Sequence, residues 1–384
     1  LYVLVVDALD ECDDNNIQII LFLLTEVRLL AKVRIRVFLT SRPEIPIRYG
    51  FRQIPDEEHQ DFVLHNISTS IIDHDITVFL KHHLNVIRRE CSLDDDWPGE
   101  DIIRQLVQNA CGLFIWAATA CRFIRQGKRF ATKRLHTILN SSGSYAIEPE
   151  RHLDEIYTTV LANSVSSEYT DAEKKDICGQ LRHILGSIVV VFSPLSVPSL
   201  QTLLHISERI DEMLEDLHSI IDIPKDETHA LRLHHPSFRD FLLSKGRCQE
   251  SSFWVDEKQA HNMLTNNCIR LLSSCLKEDI CGVNAPGMLA ASIESSVVEQ
   301  YLPPEIQYAC TYWIQHLQKS GSQLHDEGQV HTFLQEHLLH WIEALGWIGR
   351  VSEGIYAIIA LESILSVRRS NHSNHLLLIR RLGV

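Results

Sequence analysis

The chain has 384 residues, of which 45% are hydrophobic and 22% charged, and its formal net charge is −14 at pH 7. That length accommodates two or three domains, each with its own core, and the composition is that of an ordinary globular protein. The acid is dispersed, as in DDDWPGED (94–101) and DEMLED (211–216), and it argues against a general nucleic-acid or anionic-membrane binder, which needs a positive surface.

The opening run LYVLVV (1–6) is continuous, apolar and rich in β-branched residues, the pattern of a strand covered on both faces. It starts without a methionine, which suggests that the chain's own N-terminus lies further upstream. Asp13, Asp14 and Asn15 can cap IQIILFLLTEVRLLAK (17–32), whose length and lack of Gly or Pro favour a helix. VRIRVFLTS (33–41) returns to alternation and ends at Arg42-Pro43, where helix is disfavoured. Strand, helix and strand joined by short connections predict a βαβ unit with parallel strands. A further short strand is expected at DFVLHNI (61–67) and a helix near 74–88, so that 1–92 reads as half of an α/β sheet.

Helices dominate from there on. The stretch 97–127 reads as two helices broken at Gly112, followed by helices at 131–139 and 153–165. Between 171 and 245 the elements shorten: helical patterns at 171–189, 193–204 and 211–221 precede LRLHH (231–235) and PSFRDFLLS (236–244). Three helices and then a small strand pair predict a winged helix. Residues 256–276, 303–320 and 331–345 are helical again. In the middle one Ile306, Cys310, Trp313, Ile314 and Leu317 line one face at 3-4 spacing. The composition changes after 366. The expected division is therefore 1–92, 93–168, 169–250, 251–366 and an irregular tail, 367–384.

Ten cysteines occur without a single C-x-x-C pair, which favours free thiols in a reducing compartment over a zinc site or disulfide framework. No segment is long and apolar enough to span a bilayer. There is no G-x-S-x-G elbow and no H-E-x-x-H helix.

The chemistry concentrates at VVDALDEC (5–12). An acid just past a buried parallel strand lies on the edge where α/β proteins bind ligands, and in P-loop NTPases such an acid holds Mg²⁺ beside the phosphates. Asp7, Asp10 and Glu11 fall within five residues, more charge than a helix cap requires. The neighbouring strand ends in Thr40-Ser41-Arg42, so in a parallel pair Ser41 and Arg42 reach the same edge as Asp7. The plain alternative is a polar turn capping the next helix.

YVLVVDALDEC and RVFLTSRPE resemble the Walker B and sensor-1 segments of the NACHT branch of STAND NTPases, particularly the fungal heterokaryon-incompatibility type. GLFIWAATACRFI (112–124), LHHPSFRDFLLS (233–244), LKEDICGVNAPGML (276–289) and PPEIQYACTYWIQHL (303–317) resemble the same group in the same order. The resemblance implies a cytoplasmic, nucleotide-dependent switch of innate-immunity or self/non-self type. Its sheet would be part of a P-loop NTPase fold and its helical part would include a winged helix. It also implies Asp7 as the Mg²⁺ acid, Asp10 and Glu11 positioning the attacking water, and Ser41 and Arg42 reading the γ-phosphate of ATP or GTP. His235, with His234 as the neighbouring alternative, would touch the β-phosphate of ADP. Protein partners and self-association belong to that picture; nucleic acid and membrane do not.

No G-x-x-x-x-G-K-[ST] occurs, and without that cradle a triphosphate is not held in line. The chain as written is therefore expected to be a poor ATPase, part of a longer switch. The competing expectation is a non-enzymatic helical scaffold that binds other proteins.

Overall fold

In a computed structural model, the chain is described except for residues 1, 13, 28–34, 43–44, 52–53, 55–58, 61, 63, 65–66, 142–148, 249–251, 286, 323, 325–327 and 370–384. It divides into two compact units, Leu1–Ser68 and Thr69–Val384.

The first unit is a small βαβ arrangement: β1 (Tyr2–Val6), a 3-10 turn (Leu9–Glu11), α1 (Asp14–Val27), β2 (Ile35–Leu39) and α2 (Ile45–Phe51). β1 and β2 pair in parallel with Tyr2 opposite Ile35 and Val6 opposite Leu39. Among the described residues the core consists of Leu9, Ile17, Leu21 and Ile47, with Val6, Ile20, Leu24, Leu39 and Phe51 packed around it. The expected covering of β1 does not hold. Tyr2, Val3 and Val5 of β1 and Phe38 of β2 are 62–68% exposed. The physical reason is that the described elements of this unit, two strands and two helices, supply too little surface to cover both faces of an apolar strand. In the region 61–67, Ile67 N–H donates to the Leu64 carbonyl at 3.1 Å. Of the strand expected at 61–67, residues 61, 63, 65 and 66 lie outside the described residues, and Phe62, Leu64 and Ile67 are not in a strand.

The second unit runs α3 (Thr69–Glu90), α4 (Glu100–Ala110), α5 (Phe114–Gln126), α6 (Ala131–Ser141), α7 (Pro149–Ser164), α8 (Asp171–Val190), α9 (Val197–Leu204) and α10 (Ile210–Leu214). It continues with β3 (Ile221–Asp222), β4 (Arg232–Leu233), α11 (Ser237–Leu243), α12 (Glu257–Cys275), α13 (Ser295–Tyr301), α14 (Pro304–Ser320), α15 (Gln329–Trp347) and α16 (Val351–Arg369). One continuous core joins them, from Ile76 and Leu80 of α3 to Leu361 of α16. The expected break at Gly112 is a tight reversal. Cys111 (φ 47°) and Gly112 (φ 79°) are both left-handed, a conformation glycine adopts without steric cost. Thr170 caps α8 through a reciprocal capping box with Glu173. β3 and β4 pair antiparallel, Ile221 with Leu233 and Asp222 with Arg232, and Ser196 forms an antiparallel bridge with Ala230.

Some polar groups inside this core are paired, whereas Trp313 Nε1 and Ser219 Oγ are buried without a hydrogen bond among the described residues. Trp341 donates to the Cys310 carbonyl at 2.8 Å, and Trp116 to the His152 carbonyl at 3.1 Å. A chain of hydrogen bonds ties the end of α8 to α14 and α12. Phe192 N–H donates to the Tyr308 hydroxyl (3.2 Å), which bonds to His316 Nε2 (2.6 Å), and His316 Nδ1 faces His261 Nδ1 (2.7 Å). Five cysteines, Cys121, Cys248, Cys268, Cys281 and Cys310, are buried as free thiols, while Cys12 and Cys111 are exposed.

Candidate functional site

The carboxyl ends of β1 and β2 form the candidate edge. Because the strands are in register, Asp7 and Thr40 follow the last pair side by side. Thr40 N–H donates to the Val6 carbonyl (2.9 Å) and Leu9 N–H to the Thr40 carbonyl (3.0 Å), which extends the ladder past the strands. Between those bonds Ala8 turns left-handed, φ 52° and ψ 53°. A larger side chain would be strained there, since L-residues rarely occupy this region. The turn drops Leu9 into the small core, where it is 1% exposed, and brings the acids round to the edge.

Thr40 is the residue that the sequence reading passed over. Its hydroxyl accepts from Ala8 N–H at 2.9 Å and donates to Asp7 Oδ1. One side chain therefore holds both the strained turn and the carboxylate that leaves it. The βαβ pattern brings the ends of both strands to this edge, but nothing local in the sequence sets which residues stand opposite each other.

Asp10 is engaged by Arg42 at both oxygens. Arg42 N–H donates to Oδ1 at 2.9 Å, and its guanidinium Nε lies 3.5 Å from Oδ2. The Asp10 side chain is 8% exposed and that of Arg42 is 45% exposed, so the acid is inside and the cation outside. Ser41 turns its hydroxyl onto the Arg42 carbonyl at 2.8 Å. The structure thus gathers Asp7, Asp10, Ser41 and Arg42 at one sheet edge, while the side chain of Glu11 lies outside the described residues. Asp7 is exposed, and its Oδ2 carries no protein hydrogen bond among the described residues. No group of three or more His, Cys, Asp or Glu placed to hold a metal ion occurs among the described residues.

His235 belongs to the second unit, between β4 and α11. Ser237 N–H donates to its Nδ1 at 3.2 Å, so that nitrogen is the unprotonated one. The Ser237 hydroxyl also lies on Nδ1, at 2.6 Å, and the Tyr157 hydroxyl reaches Ser237 at 2.8 Å. The proton of neutral His235 is thereby placed on Nε2. Tyr157 is wedged against Phe238 and Phe241, ring centroids 5.1 and 5.5 Å away, and burial pushes its hydroxyl up to about 12, against the smaller opposing effect of Ser237. A rigid core thus sets the tautomer of a half-buried histidine. The neighbouring His234 turns away and puts Nε2 on the His218 carbonyl at 3.1 Å.

A family model described as Nephrocystin 3, N-terminal, matches residues 2–42, the span from β1 to the arginine of the candidate edge. The chain is 27% identical to Vegetative incompatibility protein HET-E-1 of Podospora anserina, over 94% of its own length and 26% of that protein. It therefore spans about a quarter of that relative. No solved structure matches it. Among the described residues no helix is long and apolar enough to cross a membrane. The two matches support the resemblance to fungal NACHT-type proteins that the ordered motifs carry.

Proposed function

We propose that this chain is part of a nucleotide-dependent signalling switch of the NACHT type, with ATP or ADP as ligand and Mg²⁺ as its metal. The observation that carries the reading is the shared edge, with Asp7 on Thr40 and Asp10 on Arg42 at the ends of adjacent parallel strands. Asp7 suits Mg²⁺ chemically. It offers an exposed carboxylate oxygen, a hard donor able to bind the hydrated ion through water, while Thr40 fixes its other oxygen. The metal would supply charge neutralisation between phosphate oxygens. Arg42, held by Asp10, would meet the γ-phosphate with Ser41 beside it, and Asp10 with Glu11 would position the attacking water. His235, by the family resemblance, would touch a β-phosphate.

In this reading 1–92 is half of a P-loop nucleotide domain, 93–168 and 251–366 are helical domains, and 169–250 is a winged helix. The order α8, α9, α10, β3, β4, with Ser196 bridged to Ala230, supports the winged-helix part. A nucleotide acts on such a switch only through different affinities for its two packings. Without a G-x-x-x-x-G-K-[ST] loop in these 384 residues, this chain by itself does not turn ATP over. Oligomerisation and protein partners carry the output.

The scaffold reading draws on a different observation. Leu339 of α15 and Ile355 and Tyr356 of α16 are 55–74% exposed, apolar positions that suit protein partners. Mg²⁺-ADP thermal shift on the full-length protein decides. The switch reading expects a shift that Asp7→Ala makes insensitive to Mg²⁺; no shift in the unmutated protein leaves the scaffold.

A further inference from the structure

Inside the second unit a circuit of side chains closes around the end of α8. Arg239 of α11 donates from Nε to the Val189 carbonyl at 2.8 Å and from Nη2 to Glu257 of α12 at 3.4 Å. Glu257 lies 4.0 Å from His261 Nε2. His261, His316 and the Tyr308 hydroxyl then carry the line back to Phe192 N–H, just past the end of α8. The Phe192 ring packs on the same groups, its centroid 4.7 Å from His316, 5.7 Å from His261 and 5.6 Å from Tyr312. The chain leading into α9 is thus held at a carbonyl by one end of the circuit and at an N–H by the other.

The protons in this line can be counted. A neutral imidazole carries one N–H, and the facing Nδ1 atoms, 2.7 Å apart, share a single proton in a hydrogen bond. In one arrangement Tyr308 O–H donates to His316 Nε2, His316 Nδ1–H donates to His261 Nδ1, and His261 Nε2–H points at the Glu257 carboxylate. In the reverse arrangement a lone pair of His261 faces that carboxylate. The Tyr308 oxygen then accepts from both Phe192 and His316, and the phenol proton is left without an acceptor. Tyr308 is 4% exposed, and among the described residues its hydroxyl makes no other hydrogen bond. A buried donor left unpaired is costly, so the first arrangement is the one the neutral pair adopts.

In that arrangement the one ring nitrogen without a proton of its own or a share in the Nδ1 bond is His316 Nε2. A further proton therefore has to settle there if the two rings stay bonded, whichever of them carries the charge. It reverses the bond to Tyr308 and displaces the phenol proton, and if the rings part instead, the line is broken at its centre. We infer that this line is a proton-sensitive latch, which anchors the α8–α9 corner to α12 and α14 while both histidines are neutral and releases Phe192 when the pair takes up a proton. Burial, the largest cause, lowers His261 to about 4 and His316 to about 3. Glu257 of α12 favours charge on His261, Lys319 of α14 and Arg239 of α11 oppose it, and the charge of His261 opposes that on His316. Cys268 of α12 and Tyr312 of α14 face the phenol. The latch is closed at neutral pH and opens as pH falls towards 4. It uses neither the Asp7 edge nor the His235 contacts, and it stands whether or not the chain binds a nucleotide.

The test is NMR of the full chain with ¹⁵N-labelled histidine and phenylalanine. At pH 7 His316 is expected to carry its proton on Nδ1, with Nε2 bare. Protection of the Phe192 amide, corrected for the intrinsic exchange rate, should fall about tenfold or more between pH 6.5 and 4, the loss of at least one hydrogen bond. The buried Phe123, Phe241 and Phe333 report opening of the whole unit and should change less. Tyr308→Phe should leave Phe192 poorly protected already at pH 6.5. The double variant His261→Gln, His316→Gln, which takes up no proton, should hold its Phe192 protection level across the range. A proton on His316 Nε2 at pH 7 overturns the inference. So does a loss at Phe192 that only keeps step with the reference phenylalanines, or one that persists in the double variant. Should either variant fail to fold, the tautomer and the pH response of the unmutated chain still decide.

Discussion

The two units solve the same problem with unequal resources. Among the described residues the first rests on four buried ones, Leu9, Ile17, Leu21 and Ile47, and leaves the apolar side chains of β1 in solvent. The second buries three tryptophans, Trp116, Trp313 and Trp341, to 1% or less in one continuous core; Trp116 and Trp341 donate to backbone carbonyls, and Trp313 Nε1 is buried without a hydrogen bond among the described residues. The comparison teaches that an apolar run is a demand for partners and does not itself supply them. Leu4 of β1 is 44% exposed, whereas Leu264 of α12 is fully buried. The difference lies in how many elements surround each.

The largest effect expected from this contrast is at Trp341. Its ring packs edge-on against Trp313 at 5.6 Å and its Nε1–H donates to Cys310. Trp341→Ala should cost about 3–5 kcal/mol, read from denaturant unfolding of the second unit, and a loss under about 1 kcal/mol would show that this core collapses around the gap.

Next is the acid limb of stability. Burial lowers His261 to about 4 and His316 to about 3 from an ordinary 6.5, with the charge of Glu257 opposing at His261 and that of His261 adding to the effect at His316. Lys319 and Arg239 also disfavour charge on His261. The folded state keeps both rings neutral while the unfolded chain takes up protons below 6.5. This contribution is therefore complete above pH 6.5 and is lost as pH falls towards 4 and then 3. A His261→Gln, His316→Gln double variant should flatten that limb in denaturant midpoints between pH 6.5 and 4. An unchanged slope would show that other groups carry it.

Leu9→Ala tests the smaller core. The expected cost is about 2–3 kcal/mol, confined to the first unit, so that amide exchange accelerates in α1 and β2 while α12 and α14 keep their protection. Uniform acceleration in both would mean that the units unfold as one. The smallest effect is Thr40→Val, which keeps the shape and removes a hydroxyl that serves Ala8 and Asp7. About 1–2 kcal/mol should be lost from the first unit, measured by the same exchange, and a neutral result would show that the edge is not held through Thr40.

Much of the helical architecture was legible. The one-sided spacing of Ile306, Cys310, Trp313, Ile314 and Leu317 places all five in the core of α14, because a 3.6-residue period leaves one face to bury. The parallel pairing of β1 with β2 followed from two strand patterns flanking one helix. At the edge, Asp7 and Arg42 were visible as residue types, but not their partners. Thr40 bonds across 33 residues to Asp7, and Tyr157 reaches Ser237 across 80. Separations of that size have no local signature.

The sequence by itself determined where the chain coils, where it extends and where acids follow a strand, because those depend on neighbours a few residues away. Only the tertiary structure decided that Asp10 belongs to Arg42, that Ser237 N–H bonds to Nδ1 of His235 and that β1 lies open. Each of those depends on which distant groups arrive alongside, and on how much surface is present to keep water out.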